Sequence, residues 1–163
     1  MDLAARRAAP TARLLAPCMP AGRREGPMAS TEVRIGTDLV DVREVAAALE
    51  RFGDRYVTRI FTADEASYCR RDPAVAPARF AARFAAKEAT VKVLRPRGEW
   101  PDWRSIEVRR APEGWCVLAL YGRAAELAAE AGLDGFAVSL SHEASYATAV
   151  VVALRDRRSG EGG

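Results

Sequence analysis

The chain has 163 residues, 25 basic and 22 acidic, one histidine and a formal net charge of +3, a length that suits a single domain with a sizeable core. The excess charge sits in residues 1–27, where five arginines face only Asp2 and Glu25. The rest balances at 20 basic and 20 acidic residues, so the folded part is not a broadly basic nucleic-acid binder. Cys18, Cys69 and Cys116 are widely spaced and odd in number, with no zinc-ligand spacing. They fit a reduced, cytoplasmic compartment better than a disulfide scaffold. No apolar run reaches membrane-helix length.

Residues 1–30, rich in Ala, Arg and Pro, read as an unfolded extension, and Leu14-Leu15-Ala16 is too short for a signal-peptide core. Residues 31–155 read as the folded domain and 156–163 as a flexible tail. A first strand is expected over Val33–Val40. Its Gly36 leaves room for a close backbone neighbour, and its Asp38 is out of place in an apolar run. Asp38 is either a satisfied strand-end carboxylate or a ligand. A helix follows from an Asp41 N-cap to Phe52, stopped by Gly53. Thr62-Ala63-Asp64-Glu65 matches a capping box and opens a short helix to Arg70. Arg70 and Arg71 are either a solvated pair or within reach of a ligand phosphate. Residues 73–77 read as a loop, and Ala78–Leu94 as a long helix.

Ile106–Arg109 and Trp115–Tyr121 read as a hairpin about Glu113-Gly114. Arg123–Ala131 reads as an amphipathic helix ended by Gly132. Phe136–Ser141 and Ala147–Leu154 close the chain as strands, with the lone His142 between them, either structural or functional. The order is strand, three helices, two strands, helix, two strands. That predicts an α+β fold, a mainly antiparallel sheet packed on a long buried central helix. No P-loop, GxGxxG or GxSxG motif is present.

The central helix carries the chemistry. Its stretch Arg83-Phe84-Ala85-Ala86-Lys87-Glu88-Ala89-Thr90-Val91-Lys92 holds the only two lysines of a chain with 23 arginines. Lysine offers a compact ammonium that arginine cannot replace. The helix is apolar on opposite sides, which predicts burial, yet it embeds Arg83, Lys87, Glu88 and Lys92. Buried charges need partners, a metal or a charged ligand. A Glu88–Lys92 pair at i,i+4 is the simplest partnering. Alternatively, Asp38 and Glu88 converge as Mg²⁺ ligands, because Mg²⁺ favours one or two carboxylates with waters and substrate phosphates. Lys92 and Arg83 would then hold phosphate oxygens, with His142 beside them. That set suits attack on a phosphoryl group.

Three segments carry a resemblance: Ile35-Gly36-Thr37-Asp38-Leu39-Val40-Asp41, the Arg83–Lys92 stretch, and Ser139-Leu140-Ser141-His142 with Tyr146-Ala147 and Ala149. Together they resemble the three motifs of the 4′-phosphopantetheinyl transferases, and the size is similar to the small holo-[acyl-carrier-protein] synthase branch. The resemblance implies transfer of the phosphopantetheine arm of coenzyme A to a serine of an apo acyl carrier protein, with release of adenosine 3′,5′-bisphosphate. It implies Asp38 and Glu88 as Mg²⁺ ligands, Lys92 on the transferring phosphate, and Arg83 and His142 on the coenzyme. Glu88 or a water on the metal would take the serine proton. A homotrimer with active sites between subunits is also implied. Glu44 stands where the family often has a carrier-gripping arginine, with Arg43 just before it. A non-catalytic coenzyme A or carrier-binding module, and a phosphohydrolase that uses water in place of serine, are the alternatives.

Overall fold

The computed structural model describes residues 31–156. The extension expected over 1–30 and the tail from 157 onward lie outside the described residues. β1 (Thr31–Asp41), β4 (Leu133–His142) and β5 (Tyr146–Asp156) form an antiparallel sheet in the order β1-β5-β4. A separate antiparallel hairpin joins β2 (Ile106–Arg110) to β3 (Cys116–Leu120). The helices are α1 (Val42–Phe52), α2 (Asp54–Ile60), α3 (Ala63–Arg70), α4 (Ala76–Leu94) and α5 (Gly122–Glu130). The α+β reading holds, with its antiparallel strands divided between two sheets.

Two local expectations are corrected. Four helices, not three, separate β1 from β2, because α2 follows α1 at once. Gly53 does end α1, but at φ 51° it also turns the chain directly into α2. A seven-residue helix carries too few turns to show a period; burial of Val57 and Ile60 holds it in place. The second correction is that α4 begins at Ala76, inside the segment read as a loop. Pro77 sits in its first turn, where a missing N–H costs nothing. Asp41 caps α1 as expected, its carboxylate accepting from Arg43 N at 2.8 Å. The Thr62 capping box of α3 is complete in both directions.

α4 is buried on nearly every side and packs against β1 and β5. The closest approach is at Gly36. A Cβ built there would lie 2.0 Å from Ala89 O and 3.0 Å from Val93 Cγ2. Only glycine lets strand and helix backbones meet at this distance. The contact brings β1 residues of the Gly36 face, including Asp38, alongside the C-terminal half of α4.

A saturated polar network crosses the core. The Lys87 ammonium and the Glu65 carboxylate are fully buried and 2.9 Å apart. Lys87 Nζ also donates to Trp103 O at 2.9 Å and to Ile106 O. Glu65 accepts from Thr62 N at 2.9 Å and from Val108 N at 3.0 Å. Burial pushes the Lys87 ammonium below its ordinary pKa, and the Glu65 carboxylate opposes that shift. Beside this pair the nearly buried Glu107 accepts from Thr62 Oγ1, Tyr121 Oη and Arg109 Nε, each at 2.8 Å.

The outer face of the three-stranded sheet is apolar and uncovered. Val33, Ile35 and Leu39 of β1 and Val150 and Leu154 of β5 are all exposed, Leu39 at 65%. Their register sets Val33 opposite Leu154 and Ile35 opposite Val152.

Gly36→Ala drives a methyl group into the Ala89 carbonyl, a backbone atom that cannot rotate aside. Overpacking of this kind costs about 1–3 kcal/mol, so the variant unfolds at lower urea than the parent chain. An unchanged urea midpoint contradicts the contact.

Candidate active site

Asp38 lies near the C-terminal end of β1 on the face turned toward α4, with its backbone carbonyl accepting from Thr148 Oγ1 at 2.8 Å. Lys92, in the last turn of α4, reaches across to it. Its ammonium donates to Asp38 Oδ1 at 2.9 Å and to Thr37 O at 2.6 Å. The i,i+4 pairing of Glu88 with Lys92 is therefore not formed, because Lys92 is drawn to β1 instead. Glu88 is half-buried one turn earlier. Its carboxyl is held above the usual range, first by burial and then by the Asp38 carboxylate, while Lys92 acts in the opposite sense. The Asp38 and Glu88 carboxylates are thus near enough to act on each other with one ammonium beside them, which leaves room in charge for a cation. That donor set fits Mg²⁺, which binds through one or two carboxylates and completes its shell with water and phosphate oxygens.

Arg83 and His142 belong to a second group. They line a cavity of about 580 Å³ together with Tyr68, Arg79, Arg110, Trp115 and Cys116. Asp38, Glu88 and Lys92 do not line it. Glu88 is five positions after Arg83 on α4, so at about 100° per residue the two point roughly 140° apart. Within one chain the carboxylate group and the arginine cavity therefore lie on different sides of the central helix.

The cavity is built for an anion. Four guanidinium groups gather about the Tyr68 ring: Arg83 at 4.2 Å from its centroid, Arg79 at 5.2 Å, Arg71 at 5.4 Å and Arg110 at 5.9 Å. Arg110 also donates to Tyr68 Oη at 2.7 Å. None of the four makes an ion pair among the described residues. Arg83 is 4% exposed, and its Nε finds no hydrogen-bond acceptor among them. Asp72 is the one carboxylate on the lining, and it already accepts from Ala74 N at 3.1 Å. A buried guanidinium with an idle donor calls for an anion.

Of the Arg70-Arg71 pair, Arg70 turns away to Asp54 and only Arg71 joins the cluster. Reading the sequence missed Tyr68, Arg79 and Arg110. Arg79 was within reach, four positions before Arg83 and so on the same face of α4. Arg110 and Tyr68 carry no local signal, because only the packing of β2 and α3 beside α4 brings them in. Cys69 is no nucleophile: it is fully buried, and burial raises its thiol to about 11.

The geometry now meets known proteins. The profile of the 4′-phosphopantetheinyl transferase superfamily matches residues 34–151. The chain belongs to this superfamily. A holo-[acyl-carrier-protein] synthase of Desulforudis audaxviator is 42% identical over 120 residues, covering 74% of this chain and 91% of that protein. Among solved structures, the Chronobacterium ammoniagenes synthase in complex with coenzyme A superposes with a TM-score of 0.67. It is 30% identical and covers 78% of this chain and 99% of that one. The Bacillus anthracis synthase, in complex with coenzyme A (3′,5′-ADP), superposes with a TM-score of 0.63 at 26% identity, covering 78% and 100%.

The raised Glu88 carboxyl has a consequence for stability without metal. A carboxyl that holds its proton more tightly in the folded state loses stability as pH rises through the window from its unfolded to its folded pKa. At neutral pH the ionised Glu88 therefore works against the fold. Glu88→Gln melts above the parent chain in EDTA at pH 7, and the gap closes near and below about pH 4. A lower melting temperature for the variant at pH 7 contradicts the Asp38–Glu88 geometry.

Proposed function

We propose that this chain transfers the 4′-phosphopantetheine arm of coenzyme A to a serine of an apo acyl carrier protein, as a Mg²⁺-dependent holo-[acyl-carrier-protein] synthase. The observation that carries the reading is the convergence of Asp38, Glu88 and Lys92 from two elements. A module that only binds its ligand needs no pair of neighbouring carboxylates with an ammonium bound to one of them.

Asp38 and Glu88 would hold the Mg²⁺. When bound there, the ion neutralises charge on the coenzyme pyrophosphate and on the departing phosphate. The serine oxygen forms a bond to the phosphorus that carries the pantetheine arm, and the bond from that phosphorus to the bridging oxygen breaks. Adenosine 3′,5′-bisphosphate leaves with the electron pair. Lys92, fixed by Asp38 and Thr37 O, presents its ammonium to the transferring phosphate. Glu88, or a water on the metal, would accept the serine proton. Arg83, with Arg79, Arg110 and His142, would hold the phosphomonoester of the adenosine end. Trp115, exposed at the rim of the cavity, offers a face for the base.

We also infer a homotrimer with sites between subunits. The apolar outer face of the sheet supports self-association, since a contiguous exposed apolar patch marks an interface. The placing of the carboxylates and the arginine cavity on different sides of α4 supports a cleft completed by a neighbour. The carrier would dock over α1 and α2. Arg43 is already engaged by Asp41, at 3.1 and 2.6 Å. Arg51, Arg55 and Arg59 are the exposed arginines left on these helices. A cytoplasmic setting agrees with free Cys69 and Cys116 and with the absence, among the described residues, of any helix long and apolar enough to cross a membrane.

The deciding assay combines the protein, coenzyme A, Mg²⁺ and a panel of apo carriers from fatty-acid, polyketide and peptide synthesis, read by intact mass. One carrier gains the phosphopantetheine mass, only with Mg²⁺ present, and Glu88→Gln lowers the rate by about 10²-fold or more. Release of free phosphopantetheine without carrier would assign a hydrolase instead. Ile35→Glu places a charge in the apolar sheet face; it elutes as a monomer and loses transfer, whereas an unchanged elution volume excludes that face from the assembly.

A further inference from the structure

The function above uses one of the two lysines and leaves the other unexplained. Lys87 is the residue before Glu88, yet its ammonium points into the core. Its surroundings are unusual in a specific way. Between Ala81 and Thr90, α4 presents Ala81, Ala82, Ala85, Ala86 and Ala89, all buried and distributed about the helix. The large buried apolar side chains, Phe80, Val91, Val93 and Leu94, lie toward its ends, and within the stretch Phe84, partly buried with its ring 5.6 Å from that of Trp103, is the one large apolar side chain. Faces lined by methyl groups pack almost equally well after a small turn of the helix, because one alanine replaces another, so these five positions resist such a turn only weakly. On the β1 side, Gly36 against Ala89 and Val93 sets how close the strand comes, and the flexible Lys92 side chain bonds to Asp38 and Thr37 O; neither sets the angle of the helix on the side of α3 and β2.

Lys87 can set it. Its three donors go to acceptors on three different elements: Glu65 of α3, the Trp103 carbonyl in the short turn before β2, and the Ile106 carbonyl at the start of β2. Glu65 is itself tied at both oxygens, to Thr62 N and Val108 N. Three separate acceptors about one tetrahedral ammonium define a point, and the short chain link from Lys87 to Glu88 passes that definition on. The leverage is large. A side chain ending about 5–6 Å from the axis moves by roughly 2 Å when a helix turns 20°, and a 1 Å misplacement near reacting groups can cost about 10²-fold in rate. A planar, five-donor guanidinium would leave donors idle in this pocket, which gives a reason for lysine in a chain that otherwise uses arginine.

We propose that Lys87 is a positioning residue for the transfer reaction: its bonds to Glu65, Trp103 and Ile106 set the rotation of α4 and so aim Glu88 at Asp38. The proposal rests on the function inferred above. Full-length Lys87→Met and Glu65→Gln are each assayed at a temperature where circular dichroism shows them fully folded and sizing matches the parent chain. In both, kcat falls about 10- to 100-fold and the affinity for Mn²⁺, read by electron paramagnetic resonance without coenzyme, falls about 10-fold, as for other residues that orient metal ligands. KM for coenzyme A shifts by less than about threefold, because the long guanidinium side chains of the cavity can follow a small turn of the helix.

A folded variant with parental kcat and Mn²⁺ affinity, altered only in melting temperature, overturns the proposal and leaves the network a purely stabilising one. Should Lys87→Met not fold, the near-isosteric Glu65→Gln decides alone by the same two readouts, since its amide must turn a donor toward Val108 N, Thr62 N or Lys87. If the parent chain transfers nothing to any carrier, the functional assignment fails; Mn²⁺ affinity in the variants still tests the positioning role.

Discussion

Strand β1 and helix α4 touch backbone to backbone, and the candidate site follows from that contact. Two residues after Gly36 comes Asp38. One residue before Ala89 comes Glu88, and three after it comes Lys92. Because the strand rises steeply and the helix slowly, one close crossing brings a short run of β1 against nearly a full turn of α4. Asp38 is brought to Lys92, 54 positions later in the chain, and beside Glu88 as a result. A larger residue at position 36 would separate the surfaces and move the carboxylates apart.

The charges buried in α4 are each answered differently, and the answers separate structure from chemistry. Lys87 is saturated by a carboxylate and two carbonyls, so it is inert and locks the core. Lys92 is held by Asp38 and Thr37 O but remains about half exposed, so it can reach a substrate. Glu88 is half-buried beside the Asp38 carboxylate with no saturating partner among the described residues, so burial first and that negative charge second raise its carboxyl. Arg83 keeps a buried Nε without an acceptor among the described residues. An unpaired buried charge is too costly to persist without a use.

Much of this was legible in the chain. The Asp41 and Thr62 caps, the hairpin about Glu113-Gly114 and the end of α4 at Leu94 are written in local chemistry, in which side chains answer the backbone groups beside them. The mismatch of Asp38 with an apolar strand, and of four charges with an apolar helix, marked the carboxylates and Lys92 before any geometry was available. The motifs around them were enough to indicate the transferase family. What local chemistry could not show was α2, whose seven residues are helical because Val57 and Ile60 find a core, and the true start of α4, where Pro77 is tolerated only as a first-turn residue.

The sequence by itself determined every element but α2, the family to which the chain belongs, and Asp38, Glu88 and Lys92 as candidates for the chemistry. Tertiary structure alone decided the partners. It turned Lys92 from Glu88 to Asp38, gave Lys87 to Glu65, and gathered Tyr68, Arg79 and Arg110 with Arg83 into one cavity. It also set that cavity on the opposite side of α4 from the carboxylates. The physical reason is range. Capping and periodicity act over a few residues and are read along the chain. Ion pairing and burial act through space, and the residues they join are chosen by how strand, hairpin and helix pack around α4.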